Sequence, residues 1–234
     1  MDNRNLLHVK HKFDNTRSYI GGNSTIIARQ CFAKRLTQDI NTQSILDLGC
    51  GDGSIGVSVS DSKSHLVLMD LSEKMLEVAS ENAKKKRISN FEIKKGDVTE
   101  FRYGSTFDLV ICLGVLAHVP SIKECIQTIS VHLSSGDKAM VQFTEKNSLQ
   151  GRVAYKWFSK ASASYCVNET SMEILNPIFE KVGLKIIDEL RYSESSLGTN
   201  ILGVKVSTPF KVLSSKLGLL SRLFSGSIVL LEKQ

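Results

Sequence analysis

Residues 44–56 read SILDLGCGDGSIG, an apolar run that breaks into a turn with glycines at 49, 51 and 53. Glycine at every second position ends a strand, lets the chain turn sharply and leaves room for a ligand against the backbone. Such a turn between an apolar strand and an amphipathic stretch opens a βα unit.

The same alternation continues downstream. HLVLMD (65–70) reads as a buried strand, and 72–87 as a helix with Met75, Leu76 and Ala79 at helical spacing. Lys84, Lys85, Lys86 and Arg87 close that helix, where cations complement the helix dipole. FEIKKGD (91–97), FDLVICLGV (107–115) and KAMVQFTE (138–145) follow as strands, with an amphipathic helix over 122–133. Residues 146–169 read as irregular, 170–182 as a helix stopped by Gly183, and 184–190 and 227–233 as the last strands. Upstream, STIIARQCFAKRLTQDI sets Ile26, Ile27, Phe32 and Leu36 near one helical face. Buried strands alternating with helices imply an α/β domain, a mostly parallel sheet covered on both faces.

The glycine turn has two readings. Gly51, Gly53 and Gly56 satisfy G-x-G-x-x-G, which also occurs in dinucleotide sites. Three acids favour a different ligand. Asp47 precedes the first glycine by two residues and can hold the turn or accept from an ammonium group. Asp70 ends the next strand, where a carboxylate takes two ribose hydroxyls. Asp97 ends a third strand and can accept from an exocyclic amine. Acids at three strand ends suit a cationic, phosphate-free nucleoside better than a pyrophosphate.

With ILDLGCGDGSIG, LMDLSEKMLEVA, KKGDVTEF, FDLVICLGVLAHV, VGLKII and SIVLLEK in this order, the chain resembles a class I S-adenosylmethionine-dependent methyltransferase. It is most similar to the small group that includes ubiquinone and menaquinone biosynthesis methyltransferases. The resemblance implies a Rossmann-like seven-stranded sheet of order 3-2-1-4-5-7-6, the last strand antiparallel. It implies S-adenosyl-L-methionine as cofactor, with Gly49 and Gly51 along its methionine part and Asp47, Cys50 and Gly53 of the same turn among the contacts. Asp70 is then the ribose ligand, Leu71 and Met75 pack near the adenine, Asp97 and Val98 hold the adenine edge, and Leu113 faces the reactive end. In similar enzymes an N-terminal helix closes over the cofactor, which makes Tyr19 and Arg17 candidates. The chain departs from the pattern at Ser134-Ser135-Gly136-Asp137, where the family carries a proline–glycine-glycine turn.

Methyl transfer from a sulfonium mainly needs alignment in a dry site, with a general base where the acceptor is a hydroxyl. His118, in LAHVP after the fourth strand, is the first candidate base, and Glu145, just past the fifth, the second. The four other histidines read as surface or packing residues. The segment CLGVLAH lacks the Asn/Asp-Pro-Pro-aromatic motif of DNA amine methylases, which argues against an exocyclic base amine as acceptor; ribose or base-carbon methylation of RNA stays open to this argument, although nucleic acid is the unfavoured partner. A small or lipid-linked molecule is expected, methylated on a hydroxyl of, for example, a quinone precursor or a sugar. A nicotinamide oxidoreductase and a non-catalytic cofactor-binding subunit stay open as alternatives, although no Tyr-x-x-x-Lys pair accompanies the glycine turn.

The organisation expected over 1–234 is one domain: an N-terminal helical cap (1–43), a core (44–190 and 227–234) and an amphipathic insertion (191–226). Five cysteines without a C-x-x-C pair argue against a structural zinc site and a disulfide framework, so no metal is expected. No apolar run approaches ~18 residues, and the first fifteen residues lack a signal-peptide core, so a cytoplasmic setting is expected. The net charge of +6 is uneven: residues 1–46 carry +4, 47–200 carry −2 and 201–234 carry +4. Within the last segment, KVLSSKLGLLSRLF (211–224) sets Val212, Leu213, Leu217, Leu220 and Phe224 near one helical face with Lys211, Lys216 and Arg222 at its border. Such a helix can lie on an anionic membrane, cap the acceptor pocket or pack on the sheet. The aromatic residues Tyr155, Trp157, Phe158 and Tyr165 are candidates for an acceptor-binding wall. Oligomeric state is not encoded in any of these features.

Overall fold

The computed structural model describes residues 24–40, 42–158, 168–193 and 204–234. Tyr19, Arg17 and Tyr165 lie outside the described residues, as do the side chains of Tyr155, Trp157 and Phe158. Four parallel strands open the chain's core: β1 (Ser44–Leu48), β2 (His65–Asp70), β3 (Phe91–Lys95) and β4 (Leu109–Cys112). Strand β5 (Lys138–Thr144) extends the parallel set, and β6 (Leu184–Tyr192) and β7 (Gly226–Lys233) complete the sheet. The strand order is 3-2-1-4-5-7-6, with β7 antiparallel to both β5 and β6.

Alternation along each strand splits the core into two layers. Ile45, Leu66, Leu68, Leu109 and Ile111 face α1 (Ser24–Thr37), α2 (Ser54–Val59) and α3 (Glu73–Lys85), which supply Phe32, Leu36, Ile55, Leu76 and Ala79. Leu46, Val67, Met69, Val110 and Cys112 face α4 (Ile122–Val131) and α6 (Met172–Lys181), which supply Cys125, Ile126, Ile129, Leu175 and Phe179. Burial on both faces is why these strands read as continuous apolar runs. Serines mark the helix starts. Ser72, Ser121 and Ser171 accept the backbone N–H groups of Met75, Glu124 and Ile174.

Two expectations from the sequence are corrected. Residues 146–169 are not wholly irregular, because α5 spans Leu149–Phe158. Its start is set by Ser148, whose hydroxyl accepts from Gly151 N–H at 2.9 Å. Residues 211–224 are not one helix. Helix α7 covers Val204–Ser214, and a separate 3₁₀ turn covers Gly218–Leu223. The helix stops at Ser214, and Gly218, at φ 55°, opens the 3₁₀ turn. Lys211 is buried, not at the border of an exposed face, and its Nζ donates to Ser193 O at 3.4 Å.

The strand order reverses between β1 and β4, since β2 and β3 lie to one side and β5 to the other. In an open α/β sheet, ligands bind beyond the carboxyl ends of the strands at such a switch point.

Candidate cofactor site

The glycine turn is stitched to the neighbouring strand before it reaches any ligand. Gly49 N–H and Cys50 N–H both donate to Met69 O, at 2.8 and 2.9 Å. Gly51 N–H donates to Asp70 Oδ2 at 2.9 Å, and Ser72 N–H donates to Asp70 Oδ1 at 2.9 Å. Two backbone donors fix the orientation of the Asp70 carboxylate at the end of β2.

The three glycines divide their work. Gly49 and Gly51, at φ 73° and 53°, line the floor of a cleft. A Cβ on Gly51 would meet nothing within 4 Å, so its backbone faces open space in which a ligand can lie. Gly53, at φ 71°, turns the other way. A Cβ there would sit 2.8 Å from Ala79 Cβ, so this glycine lets α2 start close against α3 and does not reach the cleft.

Asp47 is also set apart from the cleft. It is 3% exposed, and its Oδ2 accepts Gly56 N–H at 2.9 Å beneath the first turn of α2. Burial is the main reason its carboxyl is pushed up to about 7; the Gly56 hydrogen bond opposes this, and the nearby Asp70 and Asp52 add to it. Asp47 thus holds the turn from behind, and the option of accepting a ligand's ammonium directly does not match its position.

The cleft encloses about 970 Å³ including its open mouth. Besides Gly49, Cys50 and Gly51, it gathers Asp70, Leu71, Met75, Asp97, Val98, Leu113 and His118 from the residues singled out in the sequence. Asp97 is held in place through Oδ1, which accepts from Thr99 N and Thr99 Oγ1 at 2.8 and 2.7 Å. Sequence reasoning missed Ile26 and Arg29, which α1 contributes to the opposite wall. The Arg29 guanidinium lies directly over Gly114, where a Cβ would come within 2.5 Å of Nη1. Gly114 at φ 79° therefore both bends the chain after β4 and makes room for the cation. Helix α1 is anchored there by Gln30, whose Nε2 donates to Ser54 O at 3.0 Å.

His118 sits in the loop after β4, with its backbone N–H on Val115 O at 2.8 Å. A residue far along the chain holds this loop. Asn168 Nδ2 donates to Leu116 O at 3.0 Å and Val119 O at 2.7 Å, and Asn168 N–H donates to Ala117 O at 2.9 Å. Glu145 has a different position from the one expected of a base. It is 5% exposed and outside the cleft, and its carboxylate accepts from Met172 N at 2.8 Å, Asn147 N at 3.0 Å and Arg191 Nη2 at 3.4 Å. It anchors the start of α6 to the end of β5.

The arrangement fits S-adenosylmethionine. A cation, Arg29, stands near the glycine floor. A fixed carboxylate, Asp70, follows at the next strand end, and a second, Asp97, at the one after. Apolar Leu71, Met75 and Val98 lie alongside. That sequence of charges matches a carboxylate, a diol and an amine, and among the described residues it offers no cation cluster for a pyrophosphate.

Comparison with known proteins gives the same assignment. Residues 41–183 match the family model described as a methyltransferase domain. A ubiquinone biosynthesis O-methyltransferase from Rickettsia conorii is 23% identical over 167 residues, covering 68% of this chain and 57% of that protein. The chain spans about half the length of the curated relatives it matches. Among solved structures, magnesium protoporphyrin IX methyltransferase from Synechocystis with bound S-adenosylhomocysteine shares the fold at TM-score 0.69. Identity is 16%, covering 98% of this chain and 100% of that one. The N-methyltransferase NodS from Bradyrhizobium japonicum shares it at TM-score 0.65 and 14% identity, covering 99% of each. The chain belongs to the methyltransferase-domain family, whose enzymes take their methyl group from S-adenosylmethionine.

Proposed function

We propose that this chain transfers a methyl group from S-adenosylmethionine to a small-molecule acceptor, with a hydroxyl oxygen the favoured target. One observation carries the reading: Arg29, Asp70 and Asp97 stand in series along a single cleft floored by Gly49 and Gly51 at the sheet's switch point. The match to curated ubiquinone biosynthesis O-methyltransferases supports oxygen as the accepting atom.

When bound, the cofactor supplies a methyl on a cationic sulfur with a neutral thioether as leaving group. The chain's own residues bind and orient. Arg29 would pair with the cofactor's carboxylate, and Asp70, held by two backbone N–H groups, would accept from the ribose hydroxyls. Asp97 and Val98 would take the adenine edge, and Leu71 and Met75 would pack near the adenine. Leu113, Val115 and Val119 give the end of the cleft after β4 an apolar lining that excludes water. His118, in the same lining, accepts the proton of the acceptor hydroxyl on an imidazole nitrogen. Asn168 holds the loop that carries it. Asp47 and Glu145 act on the fold and not on the ligand.

The test is calorimetric titration with S-adenosylmethionine, S-adenosylhomocysteine and NADH on the wild type and Asp70→Ala. Binding of the first two, weakened about tenfold or more in the variant, is expected from loss of a charge-assisted hydrogen bond. Binding of NADH alone would overturn the reading. Cofactor binding with no turnover of any hydroxyl, amine or thiol acceptor would make the chain a binding subunit instead. Turnover of hydroxyl compounds and not amines, with a pH profile altered in His118→Asn, is the result expected for oxygen methylation.

A further inference from the structure

The segment that departs from the expected helix leaves an unusual surface. Leu213, Leu217, Leu219, Leu220 and Leu223 are all exposed, Leu219 at 80% and Leu213 and Leu220 at 61% each. Scattered exposed leucines need no explanation, but five within eleven residues form a patch of the kind that marks an interaction site. The buried partners of this segment lie on its other side. Val212 packs against the core, Ser214 accepts from Ser193 N–H at 2.8 Å, and Ser225 N–H donates to Gln150 Oε1 at 2.9 Å.

The segment itself carries charge of one sign. From residue 195 to 231 the chain contains Lys205, Lys211, Lys216 and Arg222 and no Asp or Glu. Lys211 is buried, while Lys216 and Arg222 are exposed among the leucines. Position matters as well. Ser193 follows the end of β6, and Tyr192 pairs with Gly226 while Thr144 pairs with Gly226 from the other side. The leucine segment therefore lies at the end of the sheet where β1, β2 and β4 open into the cofactor cleft. Helix α7 packs on α1, the helix that carries Ile26 and Arg29 into that cleft. Exposed Leu149, Arg152 and Val153 of α5 lie at the same end, joined through Gln150 to Ser225.

We propose that the leucine surface of residues 213–223, with Lys216 and Arg222, docks on the headgroup layer of an anionic bilayer. The leucines enter the boundary between headgroups and acyl chains, and the two cations meet anionic headgroups. Two exposed cations make the attachment shallow and reversible. Docking at this end brings the cofactor cleft to the bilayer, from which a lipid-soluble acceptor can be drawn. The surface is separate from the cofactor contacts, so its test is independent of the methyl-transfer reading.

The experiment is sedimentation of the full chain with vesicles of phosphatidylcholine alone and of phosphatidylcholine mixed with phosphatidylglycerol, at low and raised salt. The expected result is binding to the anionic vesicles that weakens with salt, little binding to the neutral ones, and a loss of about tenfold or more in Leu219→Glu/Leu220→Glu. Circular dichroism and S-adenosylhomocysteine affinity of that variant should match the wild type. A second variant, Lys216→Gln/Arg222→Gln, keeps the leucines and should lose the preference for anionic lipid. The proposal is overturned by absence of binding to anionic vesicles, or by equal binding of the leucine variant. It is equally overturned if the wild type forms a dimer that the leucine variant lacks, since a second copy then covers the patch.

Discussion

Replacing Gly51 and Gly53 separately by alanine distinguishes a ligand-facing glycine from a packing glycine two residues away. Both have positive φ, 53° and 71°. Left-handed backbone costs a non-glycine residue about 1–2 kcal/mol. For Gly51→Ala this is the whole expected loss of stability, because nothing lies within 4 Å of the new methyl. For Gly53→Ala the methyl meets Ala79 Cβ at 2.8 Å and Ala79 Cα at 3.1 Å, and the latter is backbone that cannot rotate away. Overpacking of this kind adds about 1–3 kcal/mol, for a total of about 2–5 kcal/mol. The effect on ligand binding runs the other way. The Gly51 methyl enters the cleft and should weaken S-adenosylhomocysteine about tenfold or more, whereas a folded Gly53→Ala protein should retain most of its affinity. Urea unfolding gives the stabilities and calorimetric titration the affinities. If Gly51→Ala binds like the wild type, or if Gly53→Ala is the more stable of the two, the division of roles is wrong.

Three further perturbations follow from the same contacts. Asp47 has its carboxyl pushed from 3.8 up to about 7, so the folded chain keeps a proton that the unfolded chain has released. Its burial therefore destabilises the fold progressively as pH rises from about 4 to 7, by up to ~4 kcal/mol in all, and imposes no such penalty below that window. Asp47→Asn still accepts from Gly56 and should gain stability relative to the wild type across that window; parallel urea-unfolding curves of the two proteins against pH would refute this. Glu145→Ala leaves Met172 N–H and Asn147 N–H without their acceptor and should cost about 2 kcal/mol with the shape of the pH–rate profile unchanged, while an acidic limb lost from that profile would restore Glu145 as a base. Asn168→Ala removes two donors from the His118 loop; it should speed amide exchange over 116–119 and lower turnover severalfold, and unchanged exchange with unchanged turnover would show that the clamp is dispensable.

The sequence by itself determined those features whose physics is local. The turn at 49–53, the two-sided burial of each strand and the acids at or just past the ends of β2 and β3 are each written in a short stretch of chain, and periodicity or glycine spacing exposes them. The strand order and the antiparallel β7 followed from resemblance to a methyltransferase. Tertiary structure decided which groups meet across the fold. Helical periodicity marks Arg29 only as a charge on α1, and nothing near it in the chain shows that Gly114 leaves room for its guanidinium. Asn168 acts on carbonyls 49 and 52 residues away. The direction in which each glycine faces, the burial that raises Asp47 and the anchoring of α6 by Glu145 depend in the same way on neighbours brought together by the sheet. Residues 211–224 have an amphipathic period, but the helix stops at Ser214, and only the packing of Val212, Ser214 and Ser225 shows which side remains for the leucines.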